Sequence, residues 1–210
     1  FWIASMSKPV TATAVMMMHE QGKLSVDDPV EKYLPEFSSL KDATGKKVTI
    51  TLKQCLTHSS GLSEVSVEET AKVATLTELM PLIVAKPVQF APGSKWQYCQ
   101  TGINTAARVV EVVSNESFPE FLDKHLFGPL GMKDTTFYPN EKLAARLATS
   151  YRKADGKLEK VNIGFLGGKS LTDRNRYPRA NGGLFSTAED YSKFARMILN
   201  AGEFHGRRYL

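Results

Sequence analysis

The strongest constraint on this chain is an imbalance in its patterning: long helical stretches recur, while only one short segment alternates like a strand. A helix is predicted from about Ser5 to Gln21, stopped by Gly22, with Pro9 close enough to the first turn that its missing N–H costs little. Further helices are predicted over Leu52–His58, Leu76–Ala85 (ending before Pro87), Thr101–Val113 and Phe118–Leu126. Ser186-Thr187-Ala188-Glu189 reads as a capping box opening a helix that runs to Leu199. Against these stands Val48–Leu52, β-branched and alternating, as the single clear strand. Lys142–Tyr151 fits a helix end or a strand equally well. Such a chain is helix-rich, and unusually poor in strands for an α/β domain.

Composition narrows the classes. At 210 residues, 42% hydrophobic and 23% charged, the chain has the make-up of a globular protein with a sizeable core. Its longest apolar run, Ala12–Met18, is far too short to cross a bilayer. The net charge of +5 is dispersed over Lys46–Lys47, Arg152–Lys160 and Arg174, Arg176 and Arg179, with acids interleaved and no nucleic-acid reading motif. Those residues read as solvated surface, and no nucleic-acid partner is expected. Cys55 and Cys99 have no metal-ligand spacing and sit in apolar surroundings, so buried free thiols are expected, with a disulfide between them left open. Neither a metal nor a cofactor is implied.

Chemistry enters with Ser-x-x-Lys. Residues three apart share a helix face, so a lysine amine can stand beside a serine hydroxyl and help remove its proton, while the helix N-terminus favours the anion that forms. The spacing occurs three times: Ser5/Lys8, Ser38/Lys41 and Ser150/Lys153. Only Ser5/Lys8 opens a helix that can hold the pair rigidly. Ser38/Lys41 lies in the polar stretch EFSSLKDATGKK and Ser150/Lys153 in the charged turn SYRKADGK, and Ser7 points to another face of the first helix.

FWIASMSKPVTATAVMMMHEQGKLSVDDPVEKYLPEF resembles the opening block of the serine beta-lactamase and penicillin-binding family, in its class C and family VIII carboxylesterase branch. LTHSSGL at 56–62, APGSKWQYCQTGIN at 91–104, FGPLGMKDTTF at 127–137 and NGGLFSTAEDYSKFARMIL at 181–199 resemble further blocks of that family, in the same order. The resemblance implies an α+β fold of the beta-lactamase/transpeptidase type, an antiparallel sheet flanked by helices with an inserted helical lobe, of which this chain would hold most of the lobe and little of the sheet. It implies a division into residues 1–60 (start of the catalytic core), 61–180 (helical lobe) and 181–210 (return to the core).

By the same resemblance Ser5 would be the acylated nucleophile, Lys8 its proton partner and Tyr98 the catalytic tyrosine. Tyr138-Pro139-Asn140 spells the family's Tyr-x-Asn but falls in the wrong block, so Tyr98 is chosen by position. Its partner is then Gln100, one methylene longer than Asn, which would orient Lys8 or bind substrate and weakens a beta-lactam reading. The family's third motif, Lys-Thr-Gly or His-x-Gly, has no counterpart; His205-Gly206 comes nearest with the wrong spacing. That motif carries one of two oxyanion-hole donors, and loss of such a donor costs about 100- to 1000-fold in rate. The chain therefore reads as the middle of a longer enzyme, and little activity is expected of it alone.

The resulting expectation is a serine hydrolase of small esters, beta-lactams or D-amino-acid peptides, with esters favoured because SMSKP resembles the SMTKP of family VIII esterases. The alternative is a non-catalytic relative that binds peptide or cell-wall ligands. The resemblance would allow a periplasmic or secreted location, while compartment and oligomeric state do not follow from the residues. His58 is read as stabilising a turn. GFLGGKS at 164–170 is one residue short of a phosphate-binding loop and is read as a flexible loop near the site mouth.

Overall fold

The computed structural model describes residues 1–210. Ala4–Met6 forms a single 3-10 turn that runs straight into helix α1, Ser7–Glu20. The chain leaves α1 through Gly22, whose φ of +68° suits a residue without a Cβ. After a loop with 3-10 turns at Val30–Lys32 and Pro35–Ser39 come α2 (Leu52–Leu56), α3 (Val67–Thr70) and α4 (Leu76–Val84). Helix α5, Gln100–Ser114, packs across both α1 and α2. Gly102 permits the second crossing: a Cβ there would lie 2.9 Å from the Cys55 carbonyl oxygen.

Helix α6 (Phe118–Leu122) continues through a π turn at Asp123–Phe127 into α7 (Gly128–Leu130). The short α8 (Glu141–Ala144) precedes an antiparallel hairpin of β1 (Ser150–Ala154) and β2 (Lys157–Val161). So the 142–151 segment is both helix end and strand start. Helix α9 (Ala188–Leu199) and the two-residue pair β3 (Glu203–Phe204) and β4 (Arg207–Arg208) complete the chain. Core residues come from every region, from Val10 and Val15 of α1 through Val109 and Val110 of α5 to Phe194 and Met197 of α9. No helix is long and apolar enough to cross a membrane.

Two local expectations are corrected. Val48–Leu52 is not a strand: Val48 N–H bonds the Leu40 carbonyl, Val30 N–H bonds that of Ile50, and Thr51 makes one isolated bridge to Pro29. Thr51 is drawn off as the cap of α2, in a reciprocal box with Gln54, so the segment ends before a ladder can form. The cap of α9 is Thr187, bonded by Asp190 N–H, rather than Ser186. Ser186 is buried and already engaged with the Thr135 hydroxyl.

An extended ribbon links the chain's two ends. Phe185 bridges Trp2 on one side and Thr136 on the other, with Ile3 N–H donating to the Leu184 carbonyl. This ribbon lays residues 180–185 along the start of α1, and that positions the candidate site residues.

Candidate active site

Ser5 lies in the 3-10 turn that precedes α1, and the residue before it, Ala4, adopts a left-handed φ of +45°. That conformation costs an L-residue about 1–2 kcal/mol, which the ribbon must supply. Ser7, one step on, is buried and structural: its hydroxyl donates to the Ala4 carbonyl and accepts from Leu184 N–H. Ser5 is left exposed, and its own N–H has no acceptor in the chain.

Lys8 occupies the next turn and is 92% buried, its side chain clamped between two oxygens. The Nζ lies 3.0 Å from Ser5 Oγ and 2.7 Å from the Asn181 carbonyl. Tyr98 arrives from the extended segment before α5, its hydroxyl 2.7 Å from the same Ser5 Oγ. Lys8 Nζ stands 4.6 Å from the centroid of the Tyr98 ring. Burial pushes the Tyr98 phenol up, but the Lys8 ammonium and the Ser5 hydroxyl beside its oxygen outweigh this and hold it below its ordinary value. Two side chains thus converge on the Ser5 oxygen, one of them from 93 positions further along the chain.

Gln100 opens α5 and does not touch Lys8. Its Oε1 accepts from Asn181 Nδ2 at 2.9 Å, while the Asn181 backbone carbonyl holds Lys8. Asn181 is itself fixed by its N–H to Asn104 Oδ1, 3.2 Å. So the structure brings together Ser5, Lys8 and Tyr98, and joins Gln100 to them through Asn181. The sequence reading missed Asn181, although it lies in the quoted NGG block, because nothing local marks a residue that acts through its backbone carbonyl.

Two more residues hold the segment around Tyr98, His58 against its ring and Glu64 at the start of α5. His58, at a left-handed φ of +60°, packs its ring 4.6 Å from that of Tyr98, and its Nδ1 accepts the Cys99 N–H at 3.2 Å. An accepting Nδ1 requires the neutral tautomer protonated on Nε2. Burial, and then the charge on Lys8, depress the His58 pKa. Glu64 sits at the N-terminus of α5, where its carboxylate accepts from Gln100 N–H, Thr101 N–H and the Thr101 hydroxyl at 2.5, 3.2 and 2.8 Å. A carboxylate there also meets the positive end of the helix. No sequence signal links Glu64 to a helix that starts 36 residues later.

The other candidates do not converge. Neither Ser38 with Lys41 nor Ser150 with Lys153 forms a contact, and Ser150 and Lys153 face different partners across the hairpin. Tyr138 donates to the Arg176 carbonyl and Asn140 caps α8, so that pair is structural. Cys55 and Cys99 are free, buried thiols, both pushed up by burial. GFLGGKS forms a 3-10 turn at Gly164–Leu166, with Phe165 packed 5.5 Å from Trp2. No group of three or more His, Cys, Asp or Glu side chains converges to hold a metal.

A helical lobe around α5, an extended ribbon, and a Ser-Lys-Tyr cluster at their junction define the beta-lactamase/transpeptidase-like class. Residues 1–208 match the Beta-lactamase family, and the chain belongs to it. Lovastatin esterase of Penicillium rubens is 34% identical over 220 residues, covering 94% of this chain and 54% of that protein. Esterase EstB of Burkholderia gladioli is 32% identical over 177 residues, 78% of this chain and 44% of that one. Among solved structures, EstCE1, a hydrolase with promiscuous acyltransferase activity, superposes with a TM-score of 0.83 at 25% identity, over all of this chain and 61% of the other. The chain spans about half the length of the curated relatives it matches.

Proposed function

We propose that this chain carries the nucleophile centre of a serine hydrolase that works through a covalent acyl-enzyme on Ser5. The observation that supports it best is the double contact on Ser5 Oγ, with Tyr98 at 2.7 Å and Lys8 at 3.0 Å. In this reading Ser5 Oγ attacks a substrate carbonyl carbon as its proton passes to the Tyr98 phenolate. Burial opposes the phenolate, but the Lys8 and Ser5 groups beside its oxygen outweigh this and shift Tyr98 toward the base form. The free Ser5 N–H offers one hydrogen bond to the oxyanion. As the tetrahedral intermediate collapses, the bond to the leaving group breaks and Tyr98 returns the proton to it. Water then adds to the acyl carbonyl, giving its proton to Tyr98; the C–Oγ bond breaks as Ser5 Oγ takes that proton back, which releases the acid and restores the Ser5 hydroxyl and the Tyr98 phenolate.

Esters are the substrate class we favour, since two relatives are named as esterases and Gln100 departs from the family's Asn. Gln100 would act on substrate rather than on Lys8, being bonded to Asn181. The test is mass spectrometry of the full-length protein after a fluorophosphonate, beside Ser5→Ala. One adduct on the Ser5 peptide, absent from the variant, is expected. No adduct on folded wild-type protein would overturn the reading and favour a relative that binds without turnover.

A further inference from the structure

Behind the Gln100–Asn181 pair lies a cavity of about 360 Å³. Both residues line it, and Asn181 also holds Lys8, so the cavity begins one residue from the nucleophile's partner. Its far wall includes Thr70, Tyr177 and Arg179.

The charges on this wall do not balance. Glu64 borders the cavity too, but its oxygens are taken up by the start of α5. Arg179 has no ion-pair partner. Its Nη2 donates to Thr70 Oγ1 at 2.8 Å, and its guanidinium lies 4.8 Å from the Tyr177 ring and 5.6 Å from that of Phe165. The Nε and Nη1 make no hydrogen bond to the chain, and neither is fully buried. Because Nη2 carries two N–H groups and spends one on Thr70, one two-point fork of the guanidinium is left whole, the geometry that matches a carboxylate.

Arg176 adds to the imbalance. It is 94% buried and bonds only the Phe137 and Leu171 carbonyls through Nη2, leaving Nε and Nη1 buried without partners. Asp173 lies near enough for Arg176 to feel its charge, but the two form no ion pair. Burial pulls both guanidinium pKa values down, the direction expected of cations that lack a counter-charge. Arg179 on the cavity wall, with Arg176 outside the cavity but close enough for the two charges to repel, is a guanidinium that calls for an anion.

We propose that Arg179 recognises a carboxylate on the substrate, so that the enzyme prefers esters or amides bearing an acid group over their neutral counterparts. This rests on the hydrolase reading of Ser5. Arg179 selects by the flat fork it offers, and Arg176 behind it deepens the positive field.

The test uses the full-length enzyme and two matched ester pairs. Nitrophenyl hemiglutarate against nitrophenyl glutaramate puts the acid or its neutral amide on the acyl side; carboxyphenyl against carbamoylphenyl butyrate puts it on the leaving group. In at least one pair the acid is expected to lead in kcat/KM by about 10- to 100-fold, as for a hydrogen bond between charged groups. Arg179→Gln should bring that ratio to near one, and Arg179→Lys should keep part of it. Since the ratio is taken within each preparation, partial unfolding of a variant cancels. No acid preference in either pair, or one that survives Arg179→Gln, overturns the proposal while leaving Ser5 in place. If Ser5 labels but no ester turns over, glutarate should slow labelling of wild type and not of Arg179→Gln; equal protection overturns the proposal. No turnover and no Ser5 adduct removes the hydrolase reading and this proposal with it.

Discussion

Removal of one oxygen tests the proposed chemistry directly. Tyr98→Phe deletes the hydroxyl at 2.7 Å from Ser5 Oγ and keeps the ring that packs on His58. The cost to stability is small, because Tyr98 is 42% exposed and gives up a single hydrogen bond. That is about 0.5–1.5 kcal/mol, or a fall in Tm of no more than about 6 °C for a chain of this size. The cost to rate is of another order. A positioned general base contributes roughly 100- to 10,000-fold, equivalent to about 2.7–5.4 kcal/mol of barrier. The assay is nitrophenolate release by the full-length enzyme from a short-chain nitrophenyl ester, across pH. In the proposed mechanism the active form is the phenolate, so kcat/KM should rise as pH climbs through the Tyr98 pKa, which Lys8 and the Ser5 hydroxyl hold below the usual phenol value of 10 despite the opposing effect of burial. In the Phe variant both that rise and most of the rate should vanish. A loss under about tenfold, with the pH rise retained, would refute Tyr98 as the base. If Lys8→Met abolished activity beside such a mild Tyr98→Phe, the role would pass to Lys8.

Other perturbations have distinct signs. Gly61→Ala places a Cβ 2.3 Å from the Phe90 carbonyl oxygen at a φ of +75°, so destabilisation of about 2–4 kcal/mol is expected. Thermal melting should show a drop of roughly 5–15 °C, and an unchanged Tm would mean that Gly61 is not packed against the Phe90 carbonyl. His58 has a depressed pKa, so its contribution to stability is complete above its unfolded value near 6.5 and is lost as pH falls through the lower folded value. His58→Asn, whose side chain tolerates the left-handed backbone, should flatten that acid-side loss in melts run from pH 8 to about pH 5; an identical slope would count against it. Glu64→Gln removes a charge from the N-terminus of α5 and should lower stability by about 1 kcal/mol. Glu64 also raises the Tyr98 pKa, so the same variant should move the alkaline rise in kcat/KM to lower pH. A shift upward, or none, would show that its charge does not reach Tyr98.

What could be read in the sequence had either a local stop signal or a fixed block order. Gly22 and Pro87 bound their helices because Gly22 takes a left-handed exit at little cost and Pro87 disfavours a helical residue before it, and α1 and α4 end within a residue or two of the expected positions. Ser5, Lys8 and Tyr98 were found by block order and meet at one oxygen. Val48–Leu52 misled because its alternation is genuine, yet Thr51-x-x-Gln54 is a capping box that takes the last residues into α2. Asn181, Glu64 and Arg179 were illegible for a different reason. Each works through a contact with a residue 36 or more positions away, and no periodicity or spacing encodes that.

Gln100, where the family's pattern has Asn, makes no hydrogen bond to Lys8. Its side-chain carbonyl, one methylene further out than that of Asn, accepts from Asn181. Lys8 loses nothing, because the Asn181 backbone carbonyl already holds it at 2.7 Å. A backbone carbonyl is also a neutral acceptor. It fixes the ammonium without neutralising it, whereas a carboxylate in that place would screen the charge that keeps the Tyr98 phenol low. Glu64, the nearby acid that could have played that part, is anchored to the start of α5 and works weakly against Lys8 from there. The positive charge that the proposed Ser5 chemistry needs is therefore preserved by where the acid is tied down as much as by the lysine itself.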